Sequence, residues 1–174
     1  MCSVLVRNRT QADLGPCLHM ARAVKAQDDY PPRGAIDIDW FLAPAEQLGA
    51  WVAEEGSSIL GHVALHSATD YVTTRLASDH LGRPQSDFGL VARLFVDPSR
   101  RGSGVGQALL ARATASAVKR GLHPVLDVAT HLDGAVALYE SAGWVRAGEV
   151  VLSVWDGQPV EPPLSLFVYV VPAR

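Results

Sequence analysis

Between Leu94 and Leu110 the chain reads LFVDPSRRGSGVGQALL. An apolar, strand-like run, Leu94-Phe95-Val96, halts at Asp97-Pro98. Arg100, Arg101 and glycines at the alternating positions 102, 104 and 106 follow, and a helix-forming sequence begins at once. A strand that ends in a glycine loop and opens into a helix turns main-chain N–H groups, and the positive end of the helix dipole, toward one spot. That is chemistry for a phosphate. Gly-rich loops are also common as plain tight turns. A Walker-type loop needs Lys-Ser or Lys-Thr after its last glycine, and here Gln107-Ala108 stand there. A dinucleotide fingerprint needs Gly-x-Gly-x-x-Gly, and Gly102-x-Gly104-x-Gly106 is one residue short of it. Asp127 keeps that reading open, because it falls about twenty residues further on, in a predicted strand.

A fourth pattern fits more closely. Arg101-Gly102-Ser103-Gly104-Val105-Gly106 matches Arg/Gln-x-x-Gly-x-Gly/Ala, with Val96-Asp97-Pro98 before it. Downstream lies Ala135-Val136-Ala137-Leu138-Tyr139-Glu140-Ser141-Ala142-Gly143-Trp144. The two segments, in this order and separated by one helix and one strand, resemble the GNAT-type N-acetyltransferase superfamily. The resemblance is most specific over Leu94 to Trp144 and extends, in element order, to the whole chain.

The resemblance implies a site for acetyl-coenzyme A in a V-shaped opening between two splayed parallel strands, Gly89–Val96 and Val125–Ala129. Main-chain groups at Leu94, Phe95 and Val96 are then expected to pair with the pantetheine arm as with an added strand. The N–H groups of Arg101, Gly102, Ser103, Gly104, Val105 and Gly106 are expected to cradle the pyrophosphate. Tyr139 is the expected catalytic residue, beside the thioester sulfur. A phenol with a pKa near 10 can protonate a leaving thiolate whose conjugate acid has a pKa of about 8.5. Tyr139 also flanks an apolar stripe, Ala135, Leu138 and Ala142, where it has a packing role to play. One departure stands out: the family often has Asn where this chain has Leu132.

The implied reaction moves an acetyl group to a primary amine of a small molecule or peptide by direct attack. A non-catalytic acyl-CoA sensor or partner-binding module is the alternative, and a nucleotide-dependent oxidoreductase is a weaker third. The sensor reading draws on a gap. Family members often carry a Glu base on the strand before the loop, and Leu90-Val91-Ala92-Arg93-Leu94 has no carboxylate. Glu54, His62, His66, Asp87 and His131 are base candidates elsewhere. His62-x-x-x-His66 has metalloprotease-like spacing but lies in a strand and lacks the Glu, so no metal is expected. The acceptor is expected against 28–38, 69–87 and 156–163, with Asp28, Asp29 and Tyr30 available to a cationic amine.

The elements that must hold these residues follow from hydrophobic period and turn chemistry. Val4 to Arg7 reads as a strand. Thr10 and Asp13 read as a capping box before a helix with Leu14, Cys17, Leu18, Ala21 and Val24 on one face, stopped near Pro31-Pro32. A second helical stretch is predicted over Asp37 to Leu48, and strands over Trp51–Glu54 and Ser58–His66. Thr69 to Asp87 reads as a long polar connection. Strands at Gly89–Val96, Val125–Ala129, Trp144–Val154 and Leu166–Val171 alternate with helices at 103–120 and 133–142, and a Pro/Gly loop spans 156–163. The expected fold is α/β (α+β): a mixed, mostly antiparallel sheet of six to seven strands, a splayed parallel pair, and helices on both faces.

The chain has 174 residues, 48% of them hydrophobic and 19% charged, which fits one domain spanning 1–174. A formal charge of −3 argues against a nucleic-acid binder. No apolar run reaches the ~20 residues of a membrane span, and the N-terminus reads as a strand rather than a leader. Cys2 and Cys17 have neither metal nor disulfide-framework spacing. A cytoplasmic location is expected, and a homodimer by family analogy.

Overall fold

The computed structural model describes residues 4–31, 37–155 and 158–172. Met1 to Ser3, with Cys2, lie outside them, as do 32–36 and 156–157 of the expected acceptor loops. The element order is β1 (Leu5–Asn8), α1 (Leu14–Asp28), β2 (Gln47–Glu55), β3 (Ser58–Ser67), α2 (Val72–Leu81), β4 (Phe88–Val96), α3 (Val105–Lys119), β5 (His123–Ala129), α4 (Asp133–Ser141), β6 (Val145–Trp155) and β7 (Gln158–Val170). The strands form one seven-stranded sheet in the order β1-β2-β3-β4-β5-β7-β6. β4 and β5 are parallel, registered at Phe88↔His123, Gly89↔Pro124 and Leu90↔Val125. The pairs β1-β2, β2-β3, β5-β7 and β6-β7 are antiparallel. This is the mixed sheet expected from the sequence.

The chain divides into two compact units, 1–66 with 91–119, and 67–90 with 120–174. In the first, α1 buries Leu14, Cys17, Met20, Ala21 and Val24 against Phe41, Leu42, Val52 and Phe95. Val52 pairs across the sheet with His62, so this is the His62 face. The opposite face carries Gly61. A Cβ there would lie 2.8 Å from Leu109 Cδ1 and 3.2 Å from Val105 Cγ1, so α3 rests directly on the β3 backbone. Entry to α1 is set by Asp13, whose carboxylate accepts from the Thr10 N–H at 2.6 Å and from Arg7 at 2.7 and 2.9 Å. These bonds to Arg7 hold the Asp13 carboxyl well below the usual carboxylate range.

In the second unit, Ala77 of α2 packs with Phe88, Val125, Val168 and Val170. Tyr169 points to the other face, where its ring lies 6.0 Å from that of Tyr139 on α4. Each unit therefore has helices on both faces of its strands.

Three expectations need correction. The 69–87 segment is not an open connection, because it contains α2. Its apolar positions Val72, Leu76, Ala77 and Leu81 form a thin stripe among hydroxyl residues. What holds it is tertiary: Thr73 Oγ1 donates to Asp127 Oδ2 at 2.5 Å, and Thr74 Oγ1 bonds the carbonyls of Ala68 and Tyr71. The helix predicted over 37–48 shrinks to a single π-type turn, Ile38–Leu42, capped by Asp37 Oδ1 accepting from the Trp40 N–H at 2.7 Å. After Pro44 the chain is already in β2 by Gln47. The loop placed over 156–163 is strand from Gln158 onward, paired as Val154↔Pro159 and Leu152↔Leu164.

Candidate functional site

β4 ends and the chain turns outward because Asp97 caps the next residues. Its side chain accepts from the Ser99 N–H at 2.9 Å and from Ser99 Oγ at 2.7 Å, which keeps its carboxyl below the ordinary range. Its own N–H still bonds Leu60 O of β3 at 2.9 Å, so the turn starts from a pinned point. Pro98 takes the first position of the 3-10 turn Pro98–Arg100, where a missing N–H does no harm. Gly102 and Gly104 then adopt φ of +74° and +84°. Only glycine takes such values without strain. A Cβ on either would meet nothing within 4 Å, so both glycines serve backbone conformation, and the space around them is open.

The main-chain bonds of this stretch are few. Arg100 N–H donates to Asp97 O at 2.8 Å, and Ala108 N–H to Gly104 O at 3.0 Å. Among the described residues, the amides from Arg101 to Gln107 between them donate to no main-chain carbonyl. Val105 and Gly106 begin α3, so their N–H groups also carry the positive end of its dipole. Val105 is buried and anchors the helix, while Arg101 to Gly104 are exposed. An anion at this position would meet a row of unsatisfied donors.

Both arginines of the loop have carboxylate partners. Arg100 Nη2 lies 2.8 Å from Glu55 Oε2, and Arg101 forks onto Asp28 at 2.5 and 3.2 Å. Positive charge at the loop is thereby partly offset, and the backbone amides remain its main resource for an anion. The same bond occupies one of the acids expected to greet a cationic amine. Asp29 lies 3.5 Å from Lys25 Nζ, and Tyr30 packs edge-on against Phe41.

Leu94, Phe95 and Val96 continue directly into this loop, and all of Leu94–Gly106 lies in the first unit. Just before them Arg93 sits at φ +54°, in the left-handed region, within a strand. That is a costly conformation for a non-glycine residue and marks an irregular bend of the kind found beside functional sites. Its guanidinium stacks over Phe41 and Trp40, at 4.6 and 5.3 Å from the ring centres. Its carbonyl bonds His62 Nδ1 at 2.9 Å. The outward carbonyl also settles the state of that imidazole. A carbonyl only accepts, so Nδ1 carries the hydrogen. Arg9 Nη1 only donates, so Nε2, 2.9 Å away, is the acceptor. His62 is thus neutral with both nitrogens engaged, and burial pushes its pKa down to about 3.

The other base candidates fare differently. Burial lowers His66 to about 4, with Arg93 and Arg9 adding repulsion, and its Nε2 is buried with no partner. Glu54 is committed to Arg7 at 2.7 Å, and His131 is exposed. Asp127, which kept the dinucleotide reading open, accepts instead from Thr73. Cys17 is a packing residue whose thiol is pushed up to about 12 by burial. Among the described residues no group of three or more His, Cys, Asp or Glu side chains is placed to hold a metal ion, and no helix is long and apolar enough to cross a membrane.

These histidines give the stability a defined pH response. Their folded pKa values lie below the unfolded value of about 6.5, so the unfolded state binds more protons between the two. Stability should therefore fall as pH drops below 6.5, well above the range near 4 where carboxylates such as Asp13 begin to matter. Melting temperature measured from pH 7.5 to 5 checks this, and a flat profile would contradict it.

Tyr139 lies in the second unit, 7% exposed in α4. Its ring faces Trp144 at 6.4 Å and Tyr169 at 6.0 Å. α4 closes at Gly143, φ +82°, and the Trp144 N–H returns to Tyr139 O at 3.1 Å. Leu132, in place of the family's usual Asn, precedes the helix and packs with Ala129, Leu152, Val160 and Leu166. That position is apolar packing here. Sequence reasoning did not find the partners of Tyr139, because Trp144 and Tyr169 carry no local motif of their own.

The acetyltransferase (GNAT) family matches residues 15–144, which include the whole strand, loop, α3 and α4 assembly. The chain belongs to the GNAT family. A curated GNAT-type relative, N-acetyltransferase 8 of Mus musculus, is 32% identical over 126 residues, 72% of this chain and 50% of that protein. The N-alpha-acetyltransferase RimI of Mycobacterium tuberculosis is 28% identical over 139 residues, 80% of this chain and 77% of that protein. This GNAT chain thus spans about half the length of the mouse relative. The GNAT fold is shared with Arabidopsis thaliana NAA60 in its complex with acetyl-CoA, at a TM-score of 0.69, 16% identity, and coverage of 98% of this chain and 100% of that one.

Proposed function

We propose that this chain is an acetyl-CoA-dependent N-acetyltransferase, a single domain over 1–174 that acetylates a primary amine of a small molecule or peptide by direct attack. The observation that carries this reading is the run of unsatisfied amides from Arg101 to Gln107, opened by Gly102 and Gly104 and placed at the start of α3. It fits a diphosphate in position and in charge. The family match over 15–144 and the name of the RimI relative support an amine acceptor, and the NAA60 complex supports the donor.

When bound, acetyl-CoA supplies an acetyl thioester. The amides of Arg101, Gly102, Ser103, Gly104, Val105 and Gly106 hold its diphosphate. The main chain of Leu94, Phe95 and Val96 offers strand-like bonds to its arm and a donor toward the thioester carbonyl. Tyr139 gives its phenolic proton to the departing thiolate. Much of the acceleration is then proximity and orientation of two bound reactants. The neutral, engaged His62 is a support for Arg93 and β4. Accordingly, His62→Gln should leave the pH profile of kcat/KM unchanged in shape, since no imidazole titrates in it. Loss of an acidic limb near pH 6.5 in that variant would restore His62 as a base.

Thiol release from acetyl-CoA across a panel of peptides with different N-termini and small amines tests the reading. Turnover on at least one acceptor is expected. Binding of CoA with no turnover on any amine would instead make the chain a sensor.

A further inference from the structure

We propose that Tyr169, Glu140 and Arg146 form a clamp that fixes the Tyr139 phenol, so that Tyr169 is a positioning residue for proton donation; this rests on the acetyltransferase reading above. Tyr169 has no exposed surface, yet its hydroxyl is fully used. It donates to Glu140 Oε1 at 2.8 Å and accepts from Arg146 Nη2 at 3.1 Å. Arg146 Nη2 closes the triangle by donating to the same Glu140 oxygen at 3.0 Å. The guanidinium lies 3.7 Å from the centre of the Phe167 ring, which fixes it against β7.

Glu140 is the residue after Tyr139, and α4 has only nine residues. A helix that short does not hold its own orientation in water, so tertiary contacts set it. The clamp is the polar one of those contacts. Tyr169 therefore reaches Tyr139 by two routes: directly, ring to ring at 6.0 Å, and through the helix backbone by way of Glu140. The Trp144 ring closes the other side at 6.4 Å. Two exposed ion-pair partners alone would be worth little. The buried hydroxyl changes this, because it gives both of them one fixed target. The carboxylate and guanidinium cannot drift together without breaking a bond to Tyr169.

The test is a double-mutant cycle on the full chain, with thiol release as the assay. Tyr169→Phe removes only the hydroxyl and keeps the ring. It should lower kcat about tenfold, with KM for acetyl-CoA unchanged, because a small misplacement of a proton donor slows chemistry without weakening binding. In a Tyr139→Phe background the same change should have no further effect on kcat. Glu140→Gln keeps an oxygen that accepts from Tyr169 and should retain most of the activity, while Glu140→Ala should match Tyr169→Phe. Equal kcat losses in both backgrounds, or parallel falls in kcat and melting temperature, would make the triangle a purely structural tie and overturn the proposal. A wild-type chain without turnover on any amine would instead remove the acetyltransferase reading itself.

Discussion

Tyr139→Phe lowers kcat by about 10²-fold while leaving KM for acetyl-CoA and the melting temperature almost unchanged. The ring is what packs: it lies between Trp144 and Tyr169 and is nearly buried. Phe preserves that packing and removes only the proton. The acid is needed at the moment of thiolate departure, so its loss falls on the chemical step. No second acid is ready to replace it in α4, where Glu140 is ionised and bonded to Tyr169 and Arg146. Steady-state kinetics with a saturating amine check this. A kcat within twofold of wild type would take Tyr139 out of the mechanism.

Gly104→Val should raise the dissociation constant for CoA at least about tenfold, equivalent to some 1.4 kcal/mol or more. The reason is conformational. At φ +84° a β-branched residue is strongly disfavoured, by roughly 1–2 kcal/mol for the left-handed region alone. The backbone relaxes by rotating the peptide planes on either side, and the amides that line the loop turn away. No steric collision contributes, since a Cβ here meets nothing within 4 Å. Gly56 supplies the control. It has φ +63° in the β2-β3 turn, also in open space. Gly56→Val carries the same kind of strain and should lose similar stability with unchanged CoA affinity. Calorimetric titration of both variants separates the two effects. Equal affinities would show that the aim of the loop does not matter.

What the sequence disclosed follows from how local each signal is. The run from Leu94 to Gly106 was readable because every step is decided within a few residues. The strand ends at Asp97-Pro98, glycine supplies the positive φ values, and alanine-rich sequence starts α3 at Val105. α2 was not readable. Its helix depends on Thr73 reaching Asp127, far away in sequence, and no periodicity encodes that bond. The 37–48 region misled for the opposite reason: its aromatic-rich spacing looked helical, but Pro44 and the pairing of Gln47 with His66 draw the chain into β2. The base candidates were named by residue type alone. Only the partners at Arg9 and Arg93 show that His62 is a neutral strut. The Tyr169 clamp joins residues 140, 146 and 169, and none of them announces the others.

The account turns on the amides from Arg101 to Gly106 as the diphosphate cradle. Backbone amide chemical shifts, followed by NMR as CoA is titrated into the full chain, read those groups one by one. The account predicts that the largest saturable shifts fall on Arg101 to Gly106, with smaller ones at Leu94 to Val96. Saturable binding that leaves 101–106 unmoved, with its shifts gathered on other residues, would contradict it.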